Sequence, residues 1–125
     1  MMATDWEKLI ESEASSYGLA EWTGTLGGQE VTLYSKPVTS ADITRIQKKG
    51  YPDFPNVITP SAMVEMICLK ATDAAGQKPL RNVKIVKRMQ ELLRPAKISE
   101  IAGALFEDSF EIDETDEDFE ARVEK

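Results

Sequence analysis

Apolar positions fall into helical spacing in five places along the chain and into strand-like alternation in one. In TDWEKLIESEASSYG, Trp6, Leu9, Ile10, Ala14 and Tyr17 line one helical face. Thr4 and Glu7 form a T-x-x-E capping box at its start, and Gly18 is placed to end it. The period then changes. Trp22 and Leu26 precede a Gly27-Gly28 turn, and Val31 and Leu33 follow it, which predicts a β-hairpin at about 21–35. Three glycines make its first strand weak.

KPVTSADITRIQKKG predicts a short helix with defined ends. Thr39 caps it with Asp42 three residues on, Val38 can staple against Ile43, and Gly50 stops it. YPDFPN, residues 51–56, follows as a non-helical passage, because Pro52 and Pro55 push the residues before them out of the helical region. Tyr51 and Phe54 are expected to pin that passage to the core, with gripping a partner as the alternative.

The next helix opens at Thr59 with Pro60 in its first position. Between Ala62 and Leu69 only Glu65 is polar, so this segment predicts the central core helix. After a polar loop at 73–80, Ile85, Val86, Met89, Leu92 and Leu93 share one face of a fourth helix. Pro95 turns the chain into a fifth, where Ile98, Ile101, Ala102, Leu105 and Phe106 follow the i, i+3, i+4, i+7, i+8 spacing. The fold class is mainly α (α+β), about five helices with one small N-terminal hairpin. A single domain is expected over 1–106. Residues 107–125 are expected to be an acidic, flexible tail.

Charge alters this picture more than composition does. Net charge is −7, but residues 1–35 carry −5, residues 36–104 carry +6 and residues 105–125 carry −8. Such blocks attract one another over a Debye length of ~8 Å in cellular salt, and suggest self-association or a charged partner. The bland alternative is a solvated surface with an acidic tail. No apolar run approaches the ~20 residues that span a membrane, and no membrane partner is expected. The N-terminus carries four acids in thirteen residues, the wrong sign for a secretory or transit peptide. One cysteine, Cys68, allows no internal disulfide and fits a cytosolic chain.

The sequence contains no histidine, which excludes a Ser-His-Asp triad, a Cys-His pair and histidine-containing zinc sites. No catalytic residue, cofactor or metal ligand is singled out. Cys68 reads as a small core residue. Met63, Met66 and Met89 read as core, with an adaptable apolar groove as the alternative. The tail sequence DETDEDFE lacks the spacing and the turn glycine of a calcium loop.

ISEIAGALF has the look of the first helix of a helix-turn-helix. Glu107, Asp108, Glu111, Asp113 and Glu114 follow it, however, and would repel a phosphate backbone. A basic strip at Lys84, Lys87 and Arg88, flanked by Arg81 and Arg94, is the remaining candidate surface. Without interleaved aromatics it reads as a solvated face or as a dock for an acidic segment, the chain's own tail being the obvious one, rather than as a nucleic-acid surface. Within the tail, Phe110, Ile112 and Phe119 could dock on a partner.

One run carries more than a pattern: VTLYSKPVTSADITRIQKKGYPDFPNVITPSAMVEMICLKATDAAGQ, residues 31–77. Its KP-T-ADI helix start, PDFPN linker and P-MVEMI-LKA-D-G helix resemble the tail assembly chaperones of long-tailed, non-contractile bacteriophages and prophages. The resemblance extends over residues 31 to about 106; the first helix and the tail share only its general character. It implies a homo-oligomer, ring or spiral, that binds the tape measure protein in the host cytoplasm and keeps it soluble. It further implies help in recruiting tail tube protein, absence from the mature virion, and no enzymatic activity. Members of the family often make a longer product by ribosomal frameshifting. The alternative from another class is a small adaptor or regulatory protein that binds nucleic acid or a partner through residues 81–97.

Overall fold

A computed structural model describes residues 5–106. Its elements are α1 (Trp6–Ser16), β1 (Ala20–Leu26), β2 (Gln29–Ser35), α2 (Ser40–Lys48), α3 (Pro60–Lys70), α4 (Val83–Leu92) and α5 (95–106). The fold is mainly helical, α+β, with one antiparallel two-stranded hairpin near the N-terminus.

The core is organised on α3. Seven of its eleven residues are buried, from Ala62 to Leu69 with Glu65 the exception, as expected of a helix apolar nearly all round. Thr59 caps it by accepting the Ala62 amide at 3.2 Å, and Pro60 occupies the first turn. α3 packs against α2 on one side and α4 on the other. The face predicted for α5 is buried in full: Ile98, Ile101, Ala102, Leu105 and Phe106. On α4, Met89 is buried and Ile85, Val86 and Leu93 are partly so. Leu92, placed on the same face by spacing, is the last helical residue and stands 67% exposed.

The capping box of α2 is complete: Thr39 Oγ1 accepts the Asp42 amide at 3.3 Å, and the Asp42 carboxylate accepts the Thr39 amide at 2.9 Å. The cap of α1 falls one residue later than the T-x-x-E pattern suggests. The helix begins at Trp6, so Asp5 is the residue whose carboxylate reaches the Lys8 amide, at 3.2 Å; Thr4 lies outside the described residues.

Residues 51–58 leave α2 as a knot of turns, including a cis Phe54–Pro55 bond. Phe54 is buried at 1% exposure, and its carbonyl accepts Gln47 Nε2 at 2.8 Å. The aromatic thus pins the passage between α2 and α3 to the core.

The hairpin turns at Gly27-Gly28, where both residues take positive φ, 60° and 81°, as the tight turn matching strand twist requires. Trp22 pairs with Leu33 across the strands, both buried. The indole N–H donates to Glu100 Oε2 on α5 at 2.9 Å, and Lys97 lies 6.0 Å from the ring centroid while approaching the same carboxylate at 3.4 Å. At the other strand edge, Tyr34 and Thr72 exchange backbone hydrogen bonds of 2.9 and 2.8 Å, so the chain leaving α3 adds one bridge to the sheet.

Gly24, which the sequence marks only as a weakness, is the seat of the Trp22 ring. A Cβ there would run into Cζ2 of the indole and stand 2.9 Å from Cε2. The ring is buried and tied to Glu100, so it cannot swing aside cheaply. Gly24→Ala is therefore expected to cost about 1–3 kcal/mol through overpacking. The urea midpoint should fall with an unchanged denaturant slope.

Candidate functional site

The feature of most chemical interest is an open groove over α3, walled by α2 and by residues 81–90. Three bases, Arg45 and Lys48 on α2 and Lys49 at its C-cap, stand at i, i+3 and i+4 and face it together. Arg81 and Lys87 face it from the opposite wall. Cys68 and Leu69 of α3 form the floor, and Tyr51, Val83 and Val86 add apolar wall. The cavity measures about 650 Å³.

Five cations thus share the groove with one acid, Glu65, whose side chain is 13% exposed and whose carboxylate lies 4.0 Å from the Lys49 ammonium. A surface pair of that length with Lys49 half exposed stabilises the fold little. Its consequence is for the groove, where it leaves most of the positive charge unneutralised. The result is an apolar trough with a basic rim, suited to a segment that is apolar on one side and acidic at its border.

The basic strip read from sequence divides on the folded surface. Lys87 turns into the groove, whereas Lys84 and Arg88, further round α4, are exposed outside its lining. Tyr51 lines the groove and is half-buried. Phe54 is unavailable to a partner because the core encloses it. Met63, Met66 and Met89 are likewise core residues, so the adaptable methionine surface is not formed by them. Phe110, Ile112 and Phe119 lie outside the described residues.

Sequence reasoning missed the α2 half of the groove. Its signal was present in the spacing of Arg45, Lys48 and Lys49, and in Glu65, the lone polar residue between Ala62 and Leu69.

Cys68 is 2% exposed, with its thiol 3.5 Å from the Met89 sulfur. Burial, with the nearby Glu65 charge, pushes its pKa up to about 12. The thiol is therefore neutral at physiological pH, and thiolate chemistry is not on offer there. Among the described residues, no group of three or more His, Cys, Asp or Glu is placed to hold a metal ion. No described helix is long and apolar enough to cross a membrane.

A second exposed apolar surface lies on α1. None of its residues is buried, and Trp6, Leu9, Ile10 and Tyr17 are between 52% and 69% exposed. The face predicted from spacing exists, but nothing in the described chain covers it. Comparison with protein-family models, curated proteins and solved structures finds no match.

Proposed function

We propose that this chain is an assembly chaperone for the tail of a long-tailed, non-contractile phage or prophage. It binds the tape measure protein, keeps that long apolar helix soluble, and helps recruit tail tube protein. It works by binding rather than catalysis, in the host cytoplasm, and leaves before the virion is complete. The resemblance over residues 31–77 supplies the identity of the client.

The observation that carries the reading is the open groove between α2 and α4. An amphipathic helix can lay its apolar side on Leu69 of the floor and on Val83 and Val86 of the wall, while acids at its border meet Arg45, Lys48 and Lys87. A net charge of −7 keeps the loaded complex dispersed.

Co-expression with the tape measure protein of the same genome tests this. The client should become soluble and co-purify, and charge reversal at Lys48 and Lys87 should abolish both effects. Unchanged client solubility with the wild-type chain would overturn the reading. The bases Arg81, Lys84, Lys87 and Arg88 also favour a second reading, a small adaptor or regulatory protein that binds nucleic acid or a partner through residues 81–97. Retention on heparin at moderate salt without any effect on the client would support that reading instead.

A further inference from the structure

We propose that α1 of one copy of this chain seats in the α2–α4 groove of a second copy, joining protomers head to tail. The proposal deepens the homo-oligomer that the resemblance over residues 31–77 implies, and it makes α1 of a neighbouring copy and the client competitors for one groove. Its test involves no client, so failure of the chaperone reading and failure of this contact are told apart.

α1 is an eleven-residue helix with no buried residue. Helices shorter than ~12–15 residues are marginal in water, and burial of an apolar stripe is what normally sustains them. Here the stripe is present without a cover. Trp6 is 69% exposed, Ile10 66%, Tyr17 57% and Leu9 52%. Helical geometry puts Glu7 and Glu11 along one border of that stripe and Glu13 within it. The surface is therefore apolar and acidic.

The groove has the matching character, apolar and basic. Val83, which is 74% exposed, stands beside Lys87 on one wall, and Arg45, Lys48 and Lys49 stand on the other. Three residues, 17–19, join α1 to β1. The hairpin is itself held to α5 by the Trp22–Glu100 hydrogen bond and to Thr72 by Tyr34. Among the described residues of one copy, α1 stands uncovered while the groove stays open, and a second copy satisfies both surfaces at once.

The two surfaces are different patches of the same chain, so the interface is heterologous. Each added copy leaves one helix and one groove free, and assembly continues until it closes into a ring or runs on as a helix. The acidic tail, 107–125, is the competing occupant by charge.

Two variants of the full chain test the contact, both altered only at exposed positions. A helix variant carries Leu9→Asp and Ile10→Asp; a groove variant carries Val83→Asp and Lys87→Glu. Circular dichroism checks that each folds, and sedimentation velocity reads the mass. The wild type should be an oligomer, and each variant alone should sediment as one 13.9 kDa chain. Mixed one to one, they should form a species of about twice that mass and nothing larger, because one intact helix meets one intact groove.

Several results would overturn the proposal. A wild type that is monomeric at every concentration would do so, as would a mixture that stays monomeric. Loss of assembly in the helix variant alone, with the groove variant unaffected, would point to α1 pairing with α1. Assembly lost with Phe110→Ser and Phe119→Ser but kept in the helix variant would assign the groove to the tail.

Discussion

Truncating Phe54 to alanine lowers the free energy of unfolding by about 3–5 kcal/mol, within the range for emptying a buried phenylalanine site. Phe54 is 1% exposed at the centre of the passage from α2 to α3, and the hydrogen bond from Gln47 to its carbonyl holds the backbone in place. The ring therefore cannot be replaced by local collapse without moving that passage. Against a typical total of about 5–15 kcal/mol, the loss would leave the chain near its folding threshold. The urea midpoint should drop sharply with the slope preserved.

Tyr51→Ala should cost less, since that ring is only partly buried. Its effect should be seen in the groove it lines. If Phe54→Ala melted normally and only client binding were lost, the ring would be a gripping residue and its assignment to the core would be wrong.

The helices were legible where their ends carry their own chemistry. Thr39 with Asp42 and Thr59 with Pro60 mark starts through bonds made within four residues, so local sequence suffices. The spacing of Ile98, Ile101 and Leu105 needed no tertiary knowledge to predict a buried face. The hairpin was equally plain in its Gly27-Gly28 turn.

What escaped was everything joining distant segments. Trp22 and Glu100 are 78 residues apart, and Tyr34 and Thr72 are 38 apart. The groove is of this kind. Lys84, Lys87 and Arg88 were grouped because they are neighbours on α4. The cations that Lys87 faces are on α2, and only the packing of both helices on α3 brings them into one surface. Periodicity also found the stripe on α1, but spacing says which residues share a face and nothing about what covers it.

The least visible of these long-range contacts carries the second large prediction. Asp42 completes the α2 capping box and also accepts a hydrogen bond from Lys70, at the far end of α3, at 2.8 Å. Both side chains are 12% exposed, so this is a buried pair. Lys70→Met should cost about 1–3 kcal/mol at neutral pH, because the largely enclosed carboxylate keeps its Thr39 amide but loses its charged donor. Asp42→Asn strands the ammonium instead and weakens the cap. The double variant should be less destabilised than the sum of the single ones, by a coupling of about 0.5–3 kcal/mol.

Acid gives an independent reading of the same pair. Burial raises the Asp42 pKa, but the hydrogen bonds from Lys70 and the Thr39 amide, with the ammonium charge, outweigh it and hold the group below its ordinary value. The folded chain thus binds this proton less readily than the unfolded one. The stabilisation is complete above the unfolded pKa, ~3.9, and is lost as pH falls through the folded value.

Urea titrations from neutral pH down through the whole acid-unfolding limb should therefore show the deficit of Lys70→Met narrowing as Asp42 protonates, while Asp42→Asn shows a shallower acid limb than the wild type. A deficit that stays constant over that range would mean the lysine stabilises α3 by packing its methylenes, and that the charge pair contributes nothing net.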